Sequence, residues 1–535
     1  MAYEKRLRSQ NLVHLLQNRE SGYTNAGRQL GRMPLLAYER SFYKCITPCL
    51  TIPSITIPPV YLRKFTPDGS KLLAFSQDQR NLLIYSYRGF SCAAVGELIR
   101  QADVGSVECF SSQDSILKGT IFERLFAKKE TLNLCQGDYG HYYLHREFSV
   151  FLEDGRYVLL AAMTALRGAL PVSDYVRYPD LYDKLDAFSY VFFLVDLELG
   201  VVTDRLILPN DSIVIAHNQG IFVFDSTLTI MSRLHQCVYV YRVNDGKFHE
   251  QETIGPCPRD FIEQATTDFD NLDATTVLPI THIKQRILSF LYRQIDTTEK
   301  QKVFYRNFEF IENMIMERMQ LVNEELLLLR YEERPKDTDT MPMDSSPRYL
   351  YVFFSIPSEE VIGVYRNYSM DLLQIVLQFS DQMNNVRSLQ TGDAPSMPMH
   401  VVLKQNLLKA NKSFFQHMLL RFNPIVPVSS QSLSPSPYLR FNEFSYDNRY
   451  MSPLERPHRF CAEPIVFRDR STHLIKFRMH VTARRHISPL APRELCTFIW
   501  HPFEPLVFSI HKCMNSYTYH VHLYNHSTVV DQSSA

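Results

Sequence analysis

The stretch Tyr61–Tyr87, YLRKFTPDGSKLLAFSQDQRNLLIYSY, constrains the fold more than any other part of the chain. Asp68-Gly69 supplies a tight turn that tolerates positive φ, and Leu72 to Phe75 is apolar and short enough for a buried strand. After the polar break Ser76-Gln77-Asp78-Gln79, the apolar pattern resumes at Leu82, Ile84 and Tyr85. Strand, turn, strand, turn, strand is one blade of a propeller. Weaker echoes follow at Phe151–Ala162, Phe444–Met451 and Trp500–Ile510, each with an aromatic before a turn and an apolar strand after it. This is the grammar of WD-type repeats without their Trp-Asp pair. Unrelated hairpins in another β-rich fold fit the same grammar, so pattern alone leaves both open.

Length does not decide between one domain and several, because a propeller of about 40 residues per blade can absorb most of such a chain. The 35 Phe and 30 Tyr suit strands better than helical bundles. Lys plus Arg equals Asp plus Glu at 57 each, so no whole-protein field concentrates nucleic acid or an anionic membrane, and direct charge-driven DNA binding is disfavoured. The cysteines are scattered singly, and the pair Cys45 and Cys49 has no second pair at zinc-ribbon spacing, which predicts free thiols in a reducing compartment. The N-terminus lacks a continuous apolar segment, and no run approaches the roughly 18 apolar residues of a membrane span. A cytosolic or nuclear soluble protein is expected.

In chain order, Leu12, Leu15, Leu16 and Arg19 recur at helical spacing after Asn11, a plausible N-cap. A short amphipathic helix on a tether either docks on a partner or folds back on its own domain. Strands are predicted from Tyr38 to about Ile254, among them Phe122–Phe126, His145–Leu152, Val191–Asp196, Ile213–Ala216, Ile221–Phe224 and Val238–Val243. A long loop is expected over Arg167–Asp186. The period then changes: Ile283–Ile295 and Lys302–Gln320 read as amphipathic helices. Strands return at Leu326–Tyr331, Tyr349–Phe354 and Val361–Tyr365, helices at Met370–Met383 and Val401–Phe422, and a Pro- and Ser-rich linker at Asn423–Pro437. The chain divides into a docking helix and tether at 1–32, propeller blades at 33–280, a helical insertion at 281–325, strands at 326–368, a second helical insertion with linker at 369–437, and closing blades at 438–535.

Nucleophile-elbow, zincin, phosphate-loop and dinucleotide patterns are absent from the sequence, so no catalytic residue and no cofactor is assigned. His520 and His522 alternate on a predicted strand with His526 nearby, the best metal candidate, but with no partnered carboxylate or cysteine a solvated strand is the preferred reading. His141 and His145 have helical spacing but lie in a predicted strand or turn, which separates them. Glu123 and Arg124, and Glu455-Arg456-Pro457, read as buried ion pairs that fix loop geometry.

At these residues the chain resembles the De-etiolated family. The matching segments keep their order from end to end: Gln10-Asn-Leu-Val-His14, Tyr61–Gly69 with Ala74-Phe-Ser76, Phe122-Glu-Arg124, His217-Asn-Gln-Gly220, Ser445-Tyr-Asp447, Glu455-Arg-Pro457 and His501-Pro-Phe-Glu-Pro505. The resemblance implies a mainly β, WD-like β-propeller with inserted α-helices and an N-terminal partner-docking helix. It implies a non-catalytic adaptor or substrate-receptor subunit of a cullin-four RING ubiquitin ligase, nuclear, promoting protein ubiquitination and degradation and repressing transcription. The implied partners are the large damaged-DNA-binding adaptor, a small De-etiolated-associated subunit, the Constitutive-photomorphogenic RING protein and a ubiquitin-conjugating enzyme. Histones or chromatin are implied too, since the insect branch, Abnormal oocyte, is associated with repression of histone genes; a chromatin-bound corepressor is the alternative function. Carried onto this sequence, Asn11, Leu12, Val13, Leu15, Leu16 and Arg19 form the helix that inserts into the adaptor's groove.

Overall fold

The structure, a computed structural model, describes residues 51–89, 113–152, 155–165, 187–216, 219–255, 282–333, 348–367 and 369–378, with short strands near residue 45 and between 444 and 523. It is mainly β. Strands β1 (Cys45–Ile46) and β2 (Leu50–Ile55) come first. A four-stranded sheet follows: β3 (Val60–Phe65), β4 (Lys71–Ser76), β5 (Asn81–Tyr87) and, after helix α1 (Gln113–Leu125), β6 (Phe126–Asn133). The second sheet holds β7 (Tyr143–Leu144), β8 (Val150–Leu152), β9 (Tyr157–Ala165), β10 (Phe188–Asp196) and β11 (Val201–Asp211). The third is the meander β12 (Ile221–Phe224), β13 (Thr227–Ser232), β14 (Cys237–Asn244), β15 (Lys247–Ile254).

Helices α2 (His282–Arg293) and α3 (Thr298–Glu312) intervene before the fourth sheet, β16 (Met314–Leu321), β17 (Leu326–Glu333), β18 (Tyr349–Ser355) and β19 (Glu360–Arg366), which α4 (Met370–Gln378) follows. The remaining strands are β20 (Phe444–Tyr446), β21 (His458–Arg459), β22 (Ile465–Asp469), β23 (Ile475–Met479), β24 (Leu495–Trp500), β25 (Leu506–Cys513) and β26 (Ser516–Leu523). They form two sheets, and each is completed by a strand from the other end of the chain: β1 joins β23, and β2 joins β26.

The two-residue period of a strand explains how the sheets stack. Along β10, Tyr190, Phe192 and Leu194 enter one apolar cluster, whereas Val191, Phe193 and Val195 enter another. Strand β9 divides likewise, with Leu159 and Ala161 on one face and Val158 and Leu160 on the other. The second sheet is therefore buried on both faces, which is why FSYVFFLVD is an uninterrupted apolar run instead of an alternating one. One of its faces meets Leu73, Phe75, Leu82 and Ile84 of the first sheet; the other meets Ile221, Leu228 and Ile230 of the third. The third meets the fourth through Phe222, Met231 and Val240 against Met316, Leu327 and Val352. The first four sheets thus pack face to face in chain order, and Phe508, Val521 and Leu523 of the last sheet pack against Phe65, Leu72 and Ala74 of the first. Each such fully buried side chain stabilises the stack by about 1.5–3 kcal/mol.

Several predicted elements differ in the structure, and of the strand expected over His145–Leu152 only Val150–Leu152 forms. Phe122–Phe126, expected as a strand, lies mostly in α1: Ile121, Phe122 and Leu125 form one buried helical face, and Glu123 and Arg124 are exposed instead of forming a buried pair. The predicted helix Lys302–Gln320 ends early, because from Met314 the chain pairs with β17 and that ladder overrides the helix-like spacing of Ile311, Ile315 and Met319. Ile213–Ala216 is not a strand; it is a connection held by the Ile215 amide on the Ile213 carbonyl at 3.0 Å. Helix α2 and the beginning of the predicted helix at Met370 agree with expectation. The expected loop at 167–186, helix at 401–422, linker at 423–437 and Glu455-Arg456-Pro457 lie outside the described residues.

Candidate functional site

The residues assigned to partner docking, Asn11, Leu12, Val13, Leu15, Leu16 and Arg19, lie outside the described residues. What the structure does describe is the seam formed by the strands that follow it in sequence, β1 and β2. Strand β2 is an edge strand, with Leu50, Thr51 and Ile52 paired to Leu523, His522 and Val521. Pro53 falls where the register shifts between Ile52 and Ile55, a position where the missing N–H is tolerated. Just upstream, β1 adds in parallel to β23 in the neighbouring sheet, so the chain entering from residue 44 is stitched to two C-terminal sheets within a few residues. Helix α1 covers the seam, its Lys118 carbonyl accepting from the Thr56 amide at 2.9 Å.

One face of the seam is apolar and the other carries a hydrogen-bonded polar chain. Thr51 Oγ1 lies 3.1 Å from His522 Nδ1, and His522 Nε2 lies 2.7 Å from Ser509 Oγ. Ser509 Oγ is also 2.9 Å from His511 Nε2. Because the serine has a single hydrogen, it donates to one imidazole and accepts from the other, which fixes the tautomers as a set. Burial holds His522 neutral, its pKa pushed down to about 3, with His520 and His511 adding repulsion. A slip of one residue would carry Thr51 to the apolar face and leave His522 unsatisfied, at about 1–3 kcal/mol. The network is therefore a register lock. The strand expected to be solvated is instead buried at this point: His522 is inaccessible with hydroxyl partners at both ring nitrogens, and His520 stacks on it with centroids 6.4 Å apart. Among the described residues no cluster of three His, Cys, Asp or Glu has metal-binding geometry, and His526 lies outside them.

A second clasp joins the first and last sheets through two sequence motifs that are far apart in the chain. In Thr66-Pro-Asp-Gly69, Gly69 adopts φ +71°, and the Gly69 amide donates to the Thr66 carbonyl at 2.8 Å. That turn aims the Gly69 carbonyl at His501 Nε2, 3.1 Å away. The Glu504 amide donates to His501 Nδ1 at 2.8 Å, so the ring is neutral with its proton on Nε2. Tyr87 donates its hydroxyl to the Glu504 carboxylate, and the His501 ring lies 4.8 Å from the centroids of both Phe65 and Tyr87. Burial pushes His501 down to about 4, partly opposed by the Gly69 carbonyl and Asp68. Burial raises the Tyr87 phenol, as does the neighbouring Glu504.

Arg63 and Lys64, successive residues at a bulge in β3, are both buried and reach the second sheet: Arg63 Nε donates to Ser149 Oγ at 3.1 Å, and Lys64 donates to the Ser149 carbonyl. Sequence reasoning identified each motif as a hairpin feature and missed that they meet. Only the buried polar residue types inside apolar runs hinted at a partner across the fold. His141 and His145 are separated by β7, as the sequence predicted. Cys135 and Cys237 are buried and not in disulfides, and burial pushes the Cys135 thiol up to about 11, which makes it inert. These arrangements bind and hold strands; a nucleophile, base and oxyanion donor do not converge among the described residues.

A family model described as De-etiolated protein 1 Det1 matches residues 146–525. Light-mediated development protein DET1 of Solanum lycopersicum is 24% identical over 505 residues, covering 89% of this chain and 92% of its own length. The protein of the same name from Arabidopsis thaliana is 25% identical over 533 residues, with the same coverage of 89% and 92%. A solved acylaminoacyl peptidase from Pyrococcus horikoshii aligns over 42% of this chain and 25% of its own, at 10% identity and a TM-score of 0.19, a level from which no shared fold follows.

Proposed function

Because the chain belongs to the De-etiolated protein 1 family, we propose that it is a non-catalytic adaptor of a cullin-four RING ubiquitin ligase, built as a β-propeller. The observation that supports this reading is the seam: β1 and β2 complete two sheets of C-terminal strands, a rigid anchor downstream of the docking residues Asn11 to Arg19. Sheets of four or five strands, the first four stacked in chain order and the one containing β2 packed against the first, support reading each sheet as a blade and β2 as the strand that closes the ring. Closure covers the outer faces that the first and last sheets of such a stack would otherwise present to solvent. In this reading Leu12, Leu15 and Leu16 enter a groove of the large damaged-DNA-binding adaptor, and the body of the protein recruits the small De-etiolated-associated subunit, the Constitutive-photomorphogenic RING protein, a ubiquitin-conjugating enzyme and the substrate. Repression of transcription in the nucleus is then the result of ubiquitination near chromatin.

The test is co-purification with the large damaged-DNA-binding adaptor, comparing the natural sequence with a Leu12→Asp, Leu15→Asp, Leu16→Asp triple variant after circular dichroism shows both folded. Loss of the adaptor from the variant alone supports ligase membership through this helix. Equal recovery removes the helix from the reading. No recovery from either, with repression of a histone-gene reporter intact, selects the chromatin corepressor instead.

A further inference from the structure

Away from the seam, α2 and α3 lean on the edge of the fourth sheet and leave a groove of about 300 Å³ between them and β18–β19. Its walls are apolar: Leu291, Ile295, Val303, Phe304, Ile311 and Val364. The helix surface beside it is unusually apolar for a solvent face, with Tyr292 52% exposed, Val303 52% and Tyr305 60%. The charges at the groove are all of one sign. Lys300 and Arg366 are part of the lining, which contains no carboxylate. The Arg366 and Arg348 guanidinium groups lie 6.0 and 5.8 Å from the Phe310 ring centroid. Nearby carboxylates hold these cations only loosely: Asp296 meets Lys300 at 2.8 Å as an exposed pair one helical turn apart, and Glu333 lies 3.8 Å from Arg348. Pairs of this kind contribute about 0–1 kcal/mol and exchange readily for a ligand carboxylate.

We propose that this groove binds a short acidic-apolar segment of a partner protein, seating roughly one or two apolar side chains between α3 and β19 while its carboxylates face Lys300, Arg366 and Arg348. The volume supports this choice of ligand. It stands at the small end of the range of ligand pockets, about 300–1,000 Å³, and the groove is open along the helices, which suits side-chain anchors on a peptide better than an enclosed small molecule. Apolar anchors give the affinity, and the one-signed rim rejects basic segments of the same shape. The proposal stands apart from ligase membership, since it concerns a different face and is measured on the purified chain alone.

The probe is a fluorescein-labelled peptide of sequence EDLFDELLDE, titrated with the full chain and followed by fluorescence anisotropy. A charge-reversed peptide, KKLFKKLLKK, and an anchor-deleted peptide, EDSSDESSDE, serve as comparisons. The expected result is saturable micromolar binding of the acidic-apolar probe, at least tenfold weaker for either comparison peptide and weakened by raised salt. Val303→Glu and, separately, Arg366→Glu each reduce affinity at least tenfold, and Arg366→Lys retains most of it. Both positions are on the surface of the groove, and circular dichroism and the melting temperature verify that the variants are folded. Absence of saturable binding, equal binding of the charge-reversed peptide, or equal binding to both folded variants would each overturn the proposal.

Discussion

Replacing Phe508 by alanine tests whether the last sheet is fastened to the first. Phe508 is fully buried in the cluster that joins them, with ring centroids 6.4 Å from Phe65 and 5.7 Å from Phe126. A buried phenyl ring withdraws on the order of 150 Å² of apolar surface, worth about 4 kcal/mol at ~25 cal/mol/Å², and truncations of this kind cost about 3–5 kcal/mol. At a urea dependence of about 3–4 kcal/mol/M for a chain of this size, the midpoint should fall by roughly 1 M. The assay has a built-in local reporter. Trp500 is the single tryptophan and stands at the end of β24, its backbone paired with Val507, next to the residue being changed. Its emission is read as the reporter on the strand pair β24–β25, and far-UV circular dichroism follows all the sheets. In Phe508→Ala the tryptophan transition should move by about 1 M, whereas Tyr305→Ala, at an exposed position on α3, should leave it unchanged. A tryptophan midpoint within roughly 0.2 M of the natural chain, in a protein that folds, would refute the claim that this contact fastens the ends.

The clasp at His501 predicts a pH dependence. Its folded pKa of about 4 lies below the ordinary 6.5, so as pH falls from 6.5 toward 4 the unfolded chain takes up the proton first and stability declines, by at most about 3 kcal/mol; above 6.5 the contribution is complete. His501→Gln should flatten the slope of the urea midpoint between pH 6.5 and 4, and an identical slope in the variant would assign the dependence elsewhere. Gly155 has φ +100°, and a Cβ there would meet the Pro67 ring at 2.7 Å, so Gly155→Ala should destabilise by about 1–3 kcal/mol and lower the melting temperature by several degrees. An unchanged melt would show that the turn before β9 can relax away from the first sheet.

What the sequence made legible was local. The Asp68-Gly69 turn and the polar break before Asn81 each joined the strands expected of them, because the turn chemistry is contained in a few residues. The run Val191–Asp196 likewise announced a strand, whose burial on both faces only the structure shows. Where tertiary contacts compete with local pattern the reading failed: Met314–Leu321 has a helix-compatible stripe but finds a ladder on β17, and FERLF is rich in strand formers but covers the seam as a helix. Nor could the candidate site be found by spacing. His501 and Gly69 are separated by 432 positions, and Thr51 and His522 by 471, so their meeting depends on the stacking of every sheet in between.

That last separation bears on how the protein is made. Strand β2 leaves the ribosome well ahead of its partner β26, with 471 positions between Thr51 and His522, so β2 must wait, unpaired, while everything between them is synthesised. Closing a loop of that length is slow and leaves an adhesive edge available to other molecules in the meantime. A premature stop near residue 505 would therefore be felt far upstream: it would delete β25 and β26 and release β2, although every residue of β2 had been translated correctly.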